Sequence, residues 1–401
     1  MAQTGLHILI GFAEALPAPE VFFSLHDAGH RISVFAREGV TAPLARHVPL
    51  EQVHFIPAPE TDAKAAEALT ALMQGPDAPD FILPIDDAAL WLINKAMTFA
   101  PERVAGVVGP QAAFSLDKTQ QVEAARIAGL PLPETFIIRT PDDLKVDMPF
   151  PVIAKPALAV AEQAGRIGKD GVEYLQDRAA ADALAAKLDT DMDPLLVQPL
   201  VAGIGEGVFG FAGPQGVTHW SGHRRLRMMN PHGSGSSACI SSPPTDEIRE
   251  ASTRFLESIN WRGPFMIELL RDAQGTPWFM ELNGRMWGSM ALARGQGLEY
   301  PAWAVAQAQD PTFIPPAVSL SDTPLEAQHL GRDILHLLLV LRGPRDPFYK
   351  AHWPRFLHSL KAVLWGRGSR RRYNHHPKFP RLAWADAFYT VKSAVIRKKD
   401  S

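Results

Sequence analysis

The chain has 401 residues, of which 46% are hydrophobic and 21% are charged. At roughly 150 residues per domain this length suggests two or three domains, and the composition excludes a disordered or collagen-like chain. The net charge of −3 conceals an asymmetry, because residues 331–401 hold 16 Lys and Arg against four Asp and Glu, a balance of +12 beside a body of −15. Such a basic segment indicates either an anionic partner or a segment that packs against the acidic body.

The single cysteine and the N-terminal residues bear on the cellular compartment. With only Cys239, the chain has no internal disulfide and no metal site built from several cysteines. The first residues lack the basic region of a signal peptide, and the longest late apolar run, 334–341, is too short to span a bilayer. We therefore expect a cytoplasmic protein, and peripheral contact of the basic segment with a membrane stays open.

The first hundred residues predict a parallel sheet. Apolar runs at 6–11 and 30–36 are typical of strands, and a helical pattern at 19–28 lies between them. This strand–helix–strand order places the two strands parallel in one sheet, which a further strand at 81–85 extends. The chain has no G-x-G-x-x-G and no Walker A sequence, which excludes the forms of nucleotide binding that carry those motifs.

The rest of the chain is divided by glycine and proline. The predicted elements are a helix at 117–128, strands at 150–155 and 195–198, an extended glycine-rich segment at 203–211, a proline-rich linker at 311–330, and short helices at 330–341, 355–365 and 382–397.

The most informative stretch has two apolar runs on either side of a Gln-Gly dipeptide at 274–275. A two-residue hairpin turn there places Glu268 directly opposite Glu281, and side-chain alternation brings Asn283 and Arg285 to the same face. Facing carboxylates repel each other unless a cation lies between them. Two carboxylates and an amide oxygen are hard ligands suited to Mg²⁺, and an arginine beside them suits a phosphate or oxyanion. The alternative is an exposed hairpin whose glutamates are solvated.

Glu268 and the stretch 280–289, Met-Glu-Leu-Asn-Gly-Arg-Met-Trp-Gly-Ser, together resemble the metal-binding signature of the ATP-grasp superfamily, most of all its carbamoyl-phosphate-synthase-like and amino-acid-ligase branches. The resemblance covers roughly residues 1–310. It implies an α/β fold with an N-terminal parallel-sheet (pre-ATP-grasp) domain, two α+β ATP-grasp subdomains and a basic, mainly helical C-terminal extension. The expected units are the N-terminal domain 1–113, the small subdomain with its phosphate lid 114–194, the large subdomain with the metal site 195–310, the linker 311–330 and the extension 331–401.

The resemblance also implies which residues bind ATP and metal, in three groups. The phosphate-binding and catalytic residues are Lys118, Lys155 and Arg285. The adenine hinge and the ribose-binding carboxylate are Gln198, Pro199, Val201 and Glu206. The ligands of Mg²⁺, or of Mn²⁺ in its place, are Glu268, Glu281 and Asn283.

A basic strand followed by a small-residue loop predicts an anion-binding site. His223, Arg225 and Arg227 share one face by alternation, and the loop that follows contains Ser234 and Ser236. Closely spaced backbone N–H groups in such a loop can bind an anion. In similar ligases this strand and loop line the acceptor-substrate site, and the alternative is a solvated basic edge strand.

The resemblance implies an ATP-dependent carboxylate–amine ligase that forms an amide through an acyl phosphate and releases ADP and phosphate. Its partners would be a small carboxylate and an amino-acid-like amine, and a homodimer is an open prediction. One alternative phosphorylates its substrate or uses a thiol or hydroxyl acceptor, and another binds nucleotide without chemistry. The extension is interpreted as a cap on the core or a membrane contact, and no motif in it indicates nucleic acid.

Overall fold

The computed structural model describes residues 5–57, 62–163, 166–168, 172–344, 353–365 and 369–396. The strands are β1 His7–Gly11, β2 Arg31–Arg37, β3 Val53–Ile56, β4 Phe81–Pro84, β5 Phe136–Ile138, β6 Val152–Pro156, β7 Ala161–Gln163, β8 Arg166–Gly168, β9 Glu173–Leu175, β10 Leu195–Pro199, β11 Gly203–Gly213, β12 Gly216–Asn230, β13 Ser234–Ser241, β14 Gly263–Asp272, β15 Pro277–Asn283, β16 Leu325–Gln328 and β17 Ser369–Arg372.

The described residues also form α-helices. They are α1 Ala18–Asp27, α2 Leu44–His47, α3 Asp62–Gln74, α4 Asp87–Ala96, α5 Gly109–Leu116, α6 Lys118–Ala128, α7 Arg178–Ala185, α8 Asp246–Ser258, α9 Met290–Gly295, α10 Tyr300–Gln309, α11 Leu330–Arg342, α12 Phe356–Leu364 and α13 Pro380–Ile396. Two 3₁₀ helices cover Pro101–Arg103 and Pro141–Lys145.

The N-terminal sheet has the strand order β3-β2-β1-β4, and β1 runs parallel to both of its neighbours. All five residues of β1 are buried, which explains the continuous apolar run, since a parallel strand is covered on both faces. Helix α1 ends just before Gly29, whose φ of +84° suits a residue without Cβ. The predicted strand–helix–strand unit is therefore confirmed.

The second sheet is antiparallel in the order β5-β10-β6-β9. Strand β10 lies in its interior, where Leu196 pairs with Lys155. The predicted subdomain boundary at 195 is therefore wrong, because the chain leaves this sheet only after Pro199. Strands β7 and β8 form a separate hairpin within the predicted phosphate lid, and residues 164–165 and 169–171 of that lid lie outside the described residues.

The largest sheet has seven strands in the order β15-β14-β11-β12-β13-β16-β17. Strand β16 lies inside the predicted linker 311–330 and pairs antiparallel with β13, and β17 of the extension continues the sheet beyond it. The predicted proline-rich linker therefore contains, near its end, a strand of the large sheet. The short strand β16 has backbone partners on both edges, which the proline pattern did not reveal.

Besides adding β17 to the edge of the large sheet, the extension packs its helix α11 against β12 and β13. His336 of α11 hydrogen-bonds through Nδ1 to the carbonyl oxygen of Met228, and the Arg227 guanidinium is 2.7 Å from the Asp333 carboxylate. Both members of this ion pair are buried, so it joins β12 to α11. This supports the interpretation of the extension as a cap. No helix in the described ranges is both long enough and apolar enough to cross a bilayer.

Candidate active site

The hairpin of β14 and β15 brings the two predicted metal-binding carboxylates together. Glu268 pairs with Glu281, and Met266 pairs with Asn283, as the sequence predicts. The predicted two-residue turn is wrong, because four residues separate the strands and the Asp272 carboxylate accepts hydrogen bonds from two backbone N–H groups in that loop. Next to this turn the two strands pair one residue away from the predicted register. A β-bulge between Glu268 and Leu269 shifts the pairing back by one residue, so that Glu268 faces Glu281 as predicted.

Cationic side chains surround the two carboxylates. One Glu268 oxygen accepts a 2.7 Å hydrogen bond from Arg225, and one Glu281 oxygen lies 3.4 Å from the Lys118 ammonium. Burial raises the pKa of Glu268, an effect that Arg225 opposes and that the neighbouring Glu281 carboxylate reinforces. Because the two carboxylates face each other and repel, an additional cation between them would be favourable.

The donor set fits a divalent cation. Asn283 donates through Nδ2 towards Met266 Sδ at 3.2 Å and Glu281 at 3.5 Å, so its Oδ1 is the atom suited to metal ligation. Carboxylate and amide oxygens are the ligands that Mg²⁺ prefers. Across the described residues no cluster of three or more His, Cys, Asp and Glu side chains forms an alternative metal site.

Two lysines approach this hairpin from separate elements. Lys118 opens α6, where the Asp117 side chain caps the helix by accepting from the Thr119 N–H. Gln121 of the same helix makes a two-way contact with the Leu282 backbone, accepting from its N–H at 2.8 Å and donating to its carbonyl oxygen at 3.2 Å. This contact holds Lys118 beside Glu281. Gln121 is a positioning residue that sequence reasoning missed, because it carries no charge and belongs to no motif.

Lys155 lies on β6, facing the same cluster. Its pKa is lowered to about 8, mainly by burial and to a smaller extent by the neighbouring Lys118 ammonium, while the Glu281 and Glu268 carboxylates oppose this shift. The ammonium is therefore charged below about pH 8 and loses its charge as the pH rises through that value.

We expect the affinity for ADP to weaken as the pH rises from about 7 to about 9.5, because a neutral Lys155 no longer attracts phosphate. Calorimetric titration with ADP across this range measures the effect. In Lys155→Arg the guanidinium keeps its charge, so its profile should be flatter. Identical profiles for both proteins would contradict the assignment of this lysine.

Arg285 is held by a residue that the sequence did not single out. Its Nε and Nη2 donate to the two carboxylate oxygens of Asp87 at 2.9 and 3.1 Å. Burial alone would lower the pKa of Arg285, but the Asp87 carboxylate more than offsets this and the net shift is upward. Asp87 opens α4 of the N-terminal domain, so the guanidinium joins that domain to the hairpin.

The predicted adenine hinge lies at the end of β10. Gln198 donates to Thr135 Oγ1 at 2.8 Å, and Pro199 pairs with Val152. The next residue, Leu200, already donates its N–H to the Pro151 carbonyl oxygen. The loop that contains Val201 therefore starts from a fixed strand, which suits the predicted backbone recognition of a base.

The structure does not bring Glu206, the predicted ribose ligand, to the face of the sheet that carries Glu268. This residue pairs with Leu269, whereas Glu268 pairs with Gly207, so Glu206 and Glu268 point to opposite faces of the sheet. Its carboxylate accepts two hydrogen bonds of 3.0 Å from Arg271 Nε. Because Glu206 is one position out of line with Glu268 in the pairing of β11 with β14, its side chain lies on the face of the sheet opposite to the predicted metal ligands.

The basic strand β12 divides between two environments. His223 and Arg225 line a cavity of about 200 Å³ beside the hairpin, and Ser236 of β13 lines it too. The substrate role predicted for Arg227 is wrong, because irregularities in the β12–β13 register follow Arg225 and its guanidinium pairs with buried Asp333 instead. Ser234 lies at the start of β13, and its side chain is outside the described residues.

The cavity also has a wall that sequence reasoning missed. The remaining polar lining residues come from the extension and its approach, namely His329, Arg332 and Tyr373, and from the turn after β15, namely Ser289. The only sequence signal for this wall was the basic charge of the segment 331–401.

No protein-family model matches the sequence, and a search of curated proteins also finds no match. Solved structures do match. An L-amino acid ligase from Bacillus licheniformis superposes with a TM-score of 0.61 at 18% identity, over 80% of this chain and 78% of that one. The biotin carboxylase domain of 2-oxoglutarate carboxylase from Hydrogenobacter thermophilus, in complex with MgADP, ADP and bicarbonate, gives 0.63 at 16% identity over 80% and 74%.

A third likeness is to N5-carboxyaminoimidazole synthetase from Staphylococcus aureus, with a TM-score of 0.61 at 14% identity over 83% of this chain and 84% of that one. The chain has the ATP-grasp fold. At these identities the likeness concerns the fold, so the ATP-grasp fold predicted from the sequence is confirmed, and the chemistry has to be argued from the site.

Proposed function

We propose that this ATP-grasp protein is an ATP-dependent, ADP-forming carboxylate–amine ligase. The observation that carries the proposal is the facing pair Glu268 and Glu281, with Lys118 on one side and a small basic cavity on the other. The structural neighbours support it, since they include an L-amino acid ligase and a biotin carboxylase domain in complex with MgADP.

In the proposed reaction a substrate carboxylate oxygen attacks the γ-phosphorus of ATP, and the bond to the β,γ-bridging oxygen breaks to release ADP. The amine then attacks the acyl carbon of the acyl phosphate, phosphate leaves, and the nitrogen loses a proton. Lys118 and Lys155 bind the phosphates, and Arg285 stabilises the anionic transition states. Glu268, Glu281 and Asn283 would hold Mg²⁺, which neutralises charge on the transferring phosphoryl group.

The base for the amine is not assigned to a residue. His223 lines the cavity, and burial lowers its pKa to about 3, so the imidazole is neutral near pH 7. Its Nδ1 lies 2.7 Å from Ser289 Oγ. An imidazole with so low a pKa is a weak base, so His223 is better suited to orient the substrate through a hydrogen bond than to remove a proton from the amine.

The test is a panel of amino acids and other carboxylates, each with and without an amine acceptor, assayed for ADP release. Mass spectrometry of the products separates the alternatives. An amide supports the ligase, a stable phosphorylated product supports simple phosphoryl transfer, and a thioester or ester supports another acceptor. ADP binding with no ADP release across the panel would favour a nucleotide-binding protein without chemistry.

We also propose that the extension contacts an anionic membrane surface from the cytoplasm. It combines its charge of +12 with exposed apolar side chains, among them Leu341, Leu357, Trp365, Trp384 and Phe388. Each Lys or Arg near such a surface contributes about 1 kcal/mol. A homodimer stays a prediction.

We expect the full chain to float with vesicles that contain phosphatidylserine and to float less in high salt. The double variant Trp365→Ser, Trp384→Ser should lose most of this binding, because it removes two exposed interfacial side chains. Phe55→Ser is the control, as Phe55 is 58% exposed on the N-terminal domain. Equal flotation of all three proteins would contradict the membrane contact.

A further inference from the structure

The cavity beside the metal-binding hairpin has a basic wall for which the proposed phosphoryl transfer has no use. Arg332 and Tyr373 of the extension form this wall together with Arg225 of β12. At about 200 Å³ the cavity is below the roughly 300–1,000 Å³ of pockets that bury drug-sized ligands. It therefore suits a small substrate, and two of the three residues of the wall, Arg332 and Tyr373, belong to the extension.

Arg332 is a half-buried cation, and no carboxylate lies at ion-pair distance from it in the described ranges. Its Nη1 donates to the Ser236 carbonyl oxygen at 3.0 Å. The nearby Asp386 carboxylate is engaged elsewhere, since it accepts from Asn374 Nδ2 at 2.9 Å and lies 2.9 Å from His329 Nε2. A charge that is partly withdrawn from water is costly unless it is paired, so this guanidinium favours an anion in the cavity.

Further polar atoms of the cavity lining are buried and lack a hydrogen-bond partner among the described residues. They are His223 Nε2, Arg225 Nε and Trp287 Nε1. The His223 and Trp287 residues are 4% and 2% exposed. Buried polar groups in folded proteins are nearly always hydrogen-bonded, so these atoms point to a polar ligand.

Tyr373 supplies a hydroxyl to the same wall. Its oxygen lies 3.0 Å from Cys239 Sγ, and burial raises the pKa of that thiol to about 12. Burial also raises the pKa of Tyr373, so the phenol keeps its proton and can donate it in a hydrogen bond. Cys239 is thus a packed thiol next to the wall and not a nucleophile.

We propose that Arg225, Arg332 and Tyr373 bind a substrate carboxylate other than the one that is phosphorylated. The assignment rests on the proposed function only in treating this cavity as the substrate site. The carboxylate has two sources: the α-carboxylate of an amino-acid substrate that supplies the amine, or the second carboxylate of a dicarboxylic acid that is activated at its other end. Two guanidinium groups and a hydroxyl suit either one, because Arg binds carboxylates with charge-assisted hydrogen bonds.

The test measures binding without turnover. Full-length protein saturated with ADP and Mg²⁺ is titrated calorimetrically with L-alanine, L-alaninamide, succinate and succinamide. We expect at least one acid to bind, its amide to bind much more weakly, and Arg332→Met to weaken the acid about tenfold or more. Tyr373→Phe should weaken it by a smaller factor while leaving the ring in place.

Two comparisons keep the result separate from folding and from the reaction itself. Arg342→Met removes the same charge from the exposed end of α11 and should bind acid and ADP like the wild type. Arg332→Lys should retain part of the affinity. Unchanged ADP affinity in Arg332→Met shows that the nucleotide site is intact. A loss of affinity for the acid is then attributable to the wall.

Binding of L-alanine alone assigns the wall to the amine substrate, and binding of succinate alone assigns it to a dicarboxylate. The proposal is overturned if Arg332→Met binds acid like the wild type, if acids and amides bind equally, or if neither acid binds. The titration does not measure catalysis, so it tests the wall separately from the ligase reaction. If an acid binds here but the activity panel shows no ADP release, the proposal for the wall stands and the proposed ligase function is contradicted.

Discussion

Glu281→Gln is expected to abolish substrate-dependent ADP release, with a loss of roughly 1000-fold or more. The substitution keeps the shape of the side chain but removes the negative charge that faces Glu268 and lies 3.4 Å from Lys118. Without that charge the hairpin loses one of its two anionic oxygen donors for Mg²⁺. A coupled assay for ADP, run on whichever acid and amine the panel identifies, measures the effect.

The folded state of this variant should be as stable as that of the wild type, because removing one of two facing carboxylates relieves repulsion. Glu257→Gln makes the same chemical change at an exposed position of α8 and should leave ADP release unchanged. Turnover at the wild-type rate in Glu281→Gln would refute the metal-binding role of the hairpin.

Asp87→Asn is expected to lower kcat by about 10- to 100-fold with little change in the affinity for ADP. Asparagine can accept only one of the two hydrogen bonds that Asp87 receives from Arg285 and carries no charge to hold the guanidinium. The arginine would then sample orientations in which it cannot stabilise the anionic transition state. Steady-state kinetics combined with ADP calorimetry separates these two effects.

A purely structural role for Asp87 predicts a different pattern, in which thermal stability, ADP affinity and kcat fall together. Asp142→Asn, at an exposed site in the small subdomain, is the matched control. Arg285→Lys should show a loss like that of Asp87→Asn, since a lysine cannot form the bidentate contact. Wild-type kcat in Asp87→Asn would contradict the positioning role.

Local pattern was sufficient for the metal-binding hairpin and for the first sheet. Glu268 and Glu281 are only a short hairpin apart, and side-chain alternation with period two decides which residues share a face. The prediction survived a wrong turn because a β-bulge compensated for it. Neither the bulge nor the longer turn was visible in the apolar pattern, since both depend on backbone hydrogen bonds of individual residues.

Two predicted site residues lie away from the hairpin cluster for a shared physical reason. Glu206 was assigned through the family resemblance and Arg227 from alternation along one strand, but their orientation depends on the register of neighbouring strands and on irregularities between them. Glu206 forms an ion pair with the half-buried Arg271, and Arg227 forms one with the buried Asp333. Spacing along one strand cannot reveal which strand lies beside it.

The sequence by itself determined the parallel N-terminal sheet and the facing carboxylates, because both follow from short-range periodicity. Only the tertiary structure decided that Asp87 holds Arg285 across 198 residues of chain. It also decided that Arg332 and Tyr373 of the basic extension complete the cavity. Contacts between residues so far apart depend on how sheets and helices stack, which local sequence pattern does not encode.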